Sequence, residues 1–272
     1  MTRHRRADYV LNATVAASGV RVRRVVRAGV GLVVASTLAS ILASIITMGT
    51  AMASASEMAS VLGARTPHIV IDTGHTPQHP GATGASGRVE YQYNLDLSTA
   101  VSDRLVAAGY RVTRIAADGV EIALKDRATR IPDADLFVSI HHDSMQQAWI
   151  DAGRRREFAG YSIFVSEKNP QYTHSLRCAG SVGEAMRAAG QTPSLYHATP
   201  IPGENRPLLD ARLSIHRFDD LVVLKTATVP AMLIEAGVIA NPDDEARVGR
   251  PETIQLLATA IAQGIQGCQA PG

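Results

Sequence analysis

The sequence predicts an α/β fold: a single domain built on a mostly parallel, twisted β-sheet of about six strands with helices on both faces. Two observations lead there. From Pro67 onward, short β-rich apolar runs alternate with helical patterns. Glycines and prolines punctuate those patterns where helices should start or stop. The runs His68–Ile71, Tyr110–Ile115, Asp135–Ile140, Tyr161–Val165, Leu221–Leu224 and Ala231–Ile234 read as strands. Between them, Tyr91 to Ala108 places Leu95, Leu97, Val101, Leu105 and Val106 on one side, and Gly109 follows as a C′ glycine. Glu121 to Ile131 reads as a second helix stopped by Pro132, and Tyr172 to Ala189 as a third stopped by Gly190. Pro251 suits the first turn of a last helix reaching Gly267. The long stretch Gln191 to Arg217, with Pro193, Pro200, Pro202, Gly203 and Pro207, reads as irregular. Loops of that length in compact domains are usually functional or disordered.

The chain has 272 residues, 46% of them hydrophobic, enough for a packed core. Its net charge of +2 is too small to suggest a nucleic-acid partner. Arg3, Arg5, Arg6, Arg21, Arg23, Arg24 and Arg27 crowd the start, and Ala28 to Ser56 contains no charge. This is the order of an export signal: basic segment, apolar segment, small-residue exit at Ala51-Met-Ala53 or Ala53-Ser-Ala55. The rival reading is an uncleaved membrane anchor, since roughly 20 apolar residues span a bilayer. Cleavage is favoured by the cluster of small residues. On either reading the remainder is exported to the periplasm or cell envelope, with the arginines left on the cytoplasmic side. Residues 57–66 then read as a linker, and 67–268 as the folded domain. Export permits a disulfide between Cys178 and Cys268. Two unpaired thiols remain the alternative, because sequence does not give their separation in space.

Ligands of open α/β sheets bind beyond the carboxyl ends of the strands. His75, His141 and Glu235 fall at or just past such ends, and Glu90 follows a glycine-rich loop (Gly74, Gly81, Gly84, Gly87) that can fold back to the same place. Catalytic zinc takes three protein ligands and leaves a fourth position open. His75, Glu90 and His141 suit the ligand roles, and Glu235 suits the base that moves the proton. Taken singly, each has an ordinary explanation: a strand-end histidine, or a carboxylate at a helix N-terminus. The spacing matches no short zinc signature such as H-E-x-x-H. His142 leaves the second histidine open on the residues alone, although alternation along a strand points it away from its neighbour.

At these residues the chain resembles a known family. Ile71-Asp-Thr-Gly-His75, Pro80-Gly-Ala-Thr-Gly84, Glu90, Ser139-Ile-His141, Leu233-Ile-Glu-Ala-Gly237 and Asn241-Pro-Asp-Asp-Glu245 are similar to the zinc-dependent N-acetylmuramoyl-L-alanine amidases of the AmiC type. The resemblance covers Pro67 to Gly267. It implies one zinc ion held by His75, Glu90 and His141, with Glu235 as the catalytic glutamate. It implies peptidoglycan as substrate, cut at the amide between the lactyl group of N-acetylmuramic acid and the L-alanine of the stem peptide. The chain departs from the family pattern at Thr73, where proline is usual, and at Asp143, where asparagine is common. A valine also stands at Val238, where the commoner form has phenylalanine.

The competing readings are another exported zinc hydrolase, a carboxypeptidase or deacetylase, and a wall-binding module without catalysis. Glu235 speaks against the last, since a binder needs no base. No G-x-S-x-G elbow is present for a serine hydrolase. His197 and His216 read as solvated loop residues, and Arg154-Arg-Arg156 as a solvated turn. The stretch 191–217 also suggests a lid over the cleft, which an activator protein would displace.

Overall fold

A computed structural model describes residues 65–269. The export segment 1–56 and most of the linker lie outside the described residues. Among those described, no helix is long and apolar enough to cross a membrane.

The strands are β1 (His68–Thr73), β2 (Arg111–Ile115), β3 (Leu136–Asp143), β4 (Ser162–Val165), β5 (Leu208–Asp210), β6 (Ile215–Arg217) and β7 (Ala231–Val238). They form one seven-stranded sheet in the order β2-β1-β3-β7-β4-β6-β5. The pairs β1–β2, β1–β3, β3–β7 and β4–β6 are parallel, while β4–β7 and β5–β6 are antiparallel. The helices are α1 (Glu90–Ala107), α2 (Leu124–Arg127), α3 (Gln147–Asp151), α4 (Tyr172–Ala188), α5 (Val222–Lys225), α6 (Pro242–Val248) and α7 (Pro251–Gln269). The predicted α/β class, mostly parallel sheet and long helices are therefore present. Gly109 follows α1 with φ +87°, a left-handed turn that suits glycine.

Three expectations need correction. Val222–Leu224 of the run Leu221–Leu224 lie in the helical turn α5, with Leu221 as its N-cap, because a short apolar run fits a buried helix as well as a strand. The helix expected over 121–131 shrinks to α2. Glu121 instead turns to the Thr76 hydroxyl and to His79 Nδ1 at 3.2 Å, so tertiary contacts override local propensity. The stretch 191–217 is not a free loop: it carries a 3-10 turn at Tyr196–Ala198 and the hairpin strands β5 and β6 that extend the sheet. His197 and His216 are accordingly buried, not solvated.

Each face of the sheet has its own core. Ile69, Ile71, Val138, Ile140, Met232 and Ile234 pack against Leu97, Val101 and Leu105 of α1, Val182 and Met186 of α4, and Leu257, Ile261 and Ile265 of α7. Val70, Phe137, Leu233 and Phe164 pack on the opposite side with Val223 and Leu224 of α5. Following that second face toward the strand ends, side chains change from apolar to polar. Val70 gives way to Asp72, Phe137 to Ser139 and His141, and Leu233 to Glu235. Parallel register sets Asp72 beside Ser139 and His141 beside Glu235.

Helices α4 and α7 approach closely at Gly264, where a Cβ would run into the backbone of Val182. The same pair is joined by a Cys178–Cys268 disulfide, with Cα atoms 5.0 Å apart and both residues buried. This bridge closes a separation of 90 residues, so it restricts the unfolded chain strongly. Replacing both cysteines with alanine is expected to lower unfolding stability by about 2–4 kcal/mol. The check is the denaturant midpoint, which should fall in the variant while the wild type loses a similar amount under reductant.

Candidate functional site

The site is assembled at the carboxyl ends of β1, β3 and β7. After β1 the chain passes through Gly74, whose N–H donates to Ile140 O at 3.0 Å. A Cβ at Gly74 would enter the His141 ring, so only glycine allows this approach. His75 then adopts φ +68°, a conformation that costs a non-glycine residue about 1 kcal/mol or more. Arg127 holds the turn in place. Its Nη1 donates to Thr73 O at 2.9 Å and to Asp72 Oδ1 at 3.0 Å, and its Nη2 to His75 O at 3.0 Å. Arg127 and Asp72 are both buried, and Asp72 Oδ2 also accepts from Ser139 Oγ at 2.6 Å.

Glu90, the first residue of α1, reaches across the strand ends. Its Oε2 lies 3.0 Å from His75 Nε2, and its Oε1 2.9 Å from His141 Nδ1. Ala82 N and Asn94 Nδ2 also donate to this carboxylate, each at 3.1 Å. Loop 80–88 is anchored in turn by Glu245, which accepts from Ser86 N, Ser86 Oγ and Tyr93 OH, each at 2.8 Å. Burial alone would raise the Glu90 pKa, but the hydrogen bonds and charges of His141 and His75 outweigh it and hold the pKa well below the usual range. Burial likewise opposes charge on His75, yet the Glu90 hydrogen bond and charge raise its pKa on balance.

The structure thus brings together His75, Glu90 and His141, with one donor atom from each within 4.8 Å of the others. Donors about 2.1 Å from a shared zinc ion in tetrahedral geometry would lie roughly 3.4 Å apart. The two Glu90–histidine distances, 3.0 and 2.9 Å, are already close to that spacing. Two imidazole nitrogens and a carboxylate oxygen also match zinc's preferred donors. The residues present fit the ion.

His142 points elsewhere. Its Nδ1 pairs with Asn94 Oδ1 at 2.8 Å, and burial pushes its pKa down to about 4. The same Asn94 donates to Gly74 O at 3.1 Å, so it ties α1, the Gly74 turn and β3 together. Glu235 stands opposite His141 in the β3–β7 register. Its Oε2 is enclosed and has no hydrogen-bond partner among the described residues. Burial, reinforced by the charges of Asp143 and Glu90 and opposed by His197, raises its pKa well above the usual range.

A cleft of about 380 Å³ opens beside these groups. His75, His141, Asp72 and Arg127 line its floor, with His79 and Glu121 on a polar wall and Leu124 and Val223 on an apolar one. The Arg154–Arg156 run lies outside it. Arg154 pairs with Glu157 and stacks 3.7 Å from the Trp149 ring, and Arg156 pairs with Asp243.

Sequence reasoning missed Arg127 and Asn94. Arg127 carries no local signal for this role, because its partners in the site, Asp72, Thr73 and His75, lie more than 50 residues away. Asn94 is four residues after Glu90, one helical turn, and that spacing was a usable clue.

The sequence pattern of the family described as N-acetylmuramoyl-L-alanine amidase matches residues 69–267. The chain belongs to this family. It is 26% identical over 221 residues to N-acetylmuramoyl-L-alanine amidase AmiC of Neisseria meningitidis serogroup B. That match covers 74% of this chain and 52% of AmiC, so the chain spans about half that relative's length. It is 27% identical to AmiA of Escherichia coli over 231 residues, 72% of this chain and 74% of AmiA. The fold is also that of the solved amidase Ami1 from Mycobacterium smegmatis, with TM-score 0.60, 22% identity, and coverage of 74% of this chain and 96% of that one. The CwlD amidase of Clostridioides difficile, solved in complex with the GerS lipoprotein, superposes with TM-score 0.58 at 20% identity over 75% of this chain and 98% of that one.

Two outcomes follow from the site's electrostatics. Changing Arg127 to Met leaves Asp72 buried without its cation, which is expected to cost about 3–5 kcal/mol. Denaturant unfolding reads that loss, and a weaker zinc affinity in the folded fraction reads the released His75 turn. The second concerns His216, whose pKa burial and the charge of His197 hold at about 4, below the ordinary 6.5. A depressed histidine pKa leaves stability intact above about pH 6.5 and removes it as pH falls toward 4. At about pH 5 that loss is roughly 2 kcal/mol. Between about pH 7 and 5 the wild type should therefore lose more stability than His216→Gln, compared by denaturant titration at both pH values.

Proposed function

We propose that this chain is an exported, zinc-dependent N-acetylmuramoyl-L-alanine amidase. It hydrolyses the amide between the lactyl group of N-acetylmuramic acid and the L-alanine of the stem peptide in peptidoglycan. The observation that carries this reading is the convergence of His75, Glu90 and His141 across from a Glu235 carboxylate whose Oε2 no described residue bonds. Family membership supports the bond and the substrate.

His75, Glu90 and His141 would hold one zinc ion, three protein donors being the catalytic pattern that leaves a place for water or substrate. Zinc, when bound, supplies a Lewis acid that polarises a carbonyl and makes water acidic near neutral pH. Glu235 takes the proton of the attacking water and returns it to the leaving nitrogen of L-alanine. Its raised proton affinity suits both transfers, since the carboxyl must carry the proton between them. Arg127 and Asn94 act by holding the Gly74–His75 turn and Glu90 in place. The cleft's apolar wall at Leu124 and Val223 suits alkyl parts of the substrate, and His79 and Glu121 suit its amides.

Residues 67–268 are the catalytic domain in this reading, joined through 57–66 to an export segment at 1–56. The protein works in the periplasm or cell envelope, where the Cys178–Cys268 bridge is stable.

The test is zinc content and product mass with purified peptidoglycan. Wild type is expected to hold one zinc per chain and to release stem peptides with a free L-alanine amino terminus. Glu235→Gln should keep the zinc and lose about 10²–10⁴-fold in rate. A zinc-loaded wild type that releases no such peptide would overturn the substrate, and activity that survives full chelation would overturn the metal.

A further inference from the structure

The metal cluster and Glu235 leave one buried ion group without a role. His197 Nε2 lies 2.7 Å from Asp143 Oδ2, and its Nδ1 lies 2.8 Å from Glu204 Oε2. The three side chains are only 11%, 9% and 13% exposed. An ionised carboxylate can only accept, so each contact requires the ring nitrogen to donate. An imidazole with both nitrogens donating is an imidazolium. Phe164 at 4.8 Å and Tyr196 at 5.2 Å, measured between ring centres, pack against it. Burial by itself would strip the charge, but the Asp143 and Glu204 carboxylates outweigh it and lift the pKa to about 10.

The place of this cation matters. Asp143 ends β3, two residues beyond His141, and Glu235 pairs with His141 from β7. Glu235 therefore sits among carboxylates: Asp143 and Glu90 act on it as like charges, and His197 acts as the opposing one. Without a cation, the Asp143 charge would face Glu235 in a buried setting that screens charge weakly. His216, the other histidine near this group, does not supply one, since its pKa is held at about 4. The nearest positive charge the site offers beside Asp143 is the His197 ring.

We propose that His197 is a positioning residue for the hydrolysis: a fixed imidazolium, clamped by Asp143 and Glu204, that balances the charge of Asp143 beside the Glu235 base. The proposal rests on the amidase reading for its effect on rate, but not for the state of the ring. It differs from a simple latch holding the turn Tyr196–Ala198 to β3. A latch needs the hydrogen bonds, whereas charge balance needs only that the carboxylates and the cation be present or absent together.

Two measurements on the zinc-loaded full chain test it. The first is the ¹⁵N spectrum of the His197 ring, assigned by its loss in His197→Gln, at about pH 8, where a free histidine is neutral. Both nitrogens are expected to be protonated, and a neutral ring would overturn the proposal whatever the enzyme acts on. The second compares kcat on peptidoglycan. His197→Gln, which leaves two uncompensated carboxylates, should lose roughly tenfold or more in kcat with KM and zinc content little changed. The triple variant Asp143→Asn/His197→Gln/Glu204→Gln removes the whole charge set and should recover most of that loss. If the triple variant stays as slow as the single one, His197 is a latch and the proposal falls. Should His197→Gln fail to fold, the ring is assigned through its coupling to neighbouring protons in the wild type and the first measurement decides alone. If the wild type cuts no peptidoglycan, it is the amidase reading that fails, and the ring spectrum still judges the imidazolium.

Discussion

One carboxylate ties the site together. Glu90 bonds His75 through one oxygen and His141 through the other, so it joins the turn after β1, the start of α1 and the end of β3. Those elements are otherwise separate in sequence, and each is held by its own packing. The sheet brings β1 beside β3, and the core between the sheet and α1 sets where the helix begins. Glu90 is buried and would be costly to ionise there alone. Two imidazoles and three further donors, Ala82 N, Asn94 Nδ2 and His142 N, hold it in the charged form, and the same arrangement offers three donor atoms to a cation. Stability and the proposed metal site thus draw on one set of contacts.

Around this carboxylate lies a shell of polar groups that the sheet would normally exclude. Asp72, Ser139, His141 and Glu235 replace the apolar side chains that fill the same face lower down. Most of them are satisfied: Asp72 by Arg127 and Ser139, Asp143 by His197. Glu235 Oε2 is the exception, and it sits where the proposed chemistry needs a free base. An unsatisfied buried oxygen costs folding energy, on the order of 1–3 kcal/mol, and fits a residue retained for reactivity. The backbone bears a similar cost at His75, whose left-handed conformation persists because Arg127 binds its carbonyl and that of Thr73, while Asn94 binds Gly74 O.

The site was more legible in the sequence than its surroundings. His75, Glu90 and His141 each stand at the edge of a regular element with a clear local signature, so their convergence could be argued from strand ends. The helices α1, α4 and α7 were legible for the same reason, being long and bounded by glycine or proline. Short elements were not. The turn at Val222–Lys225 has four residues and no period to read, and β5 and β6 have three each. The stretch 191–217 looked irregular because its prolines and glycine mask two strands that gain stability only by pairing with each other and with β4.

By itself, the sequence determined the α/β class, the long helices and the residue types able to hold zinc and move a proton, because periodicity, capping residues and side-chain chemistry are local properties. Tertiary structure decided which histidine of the His141–His142 pair meets Glu90, since strand alternation sends His142 to Asn94 on the other side. It decided that Cys178 and Cys268 meet across α4 and α7. It also turned His197 from an ordinary loop residue into a buried cation, because both of its carboxylate partners reach it only when the chain is folded onto β3. Charge states and ligand geometry depend on distances between elements far apart in the chain, and those distances exist only after packing has fixed them.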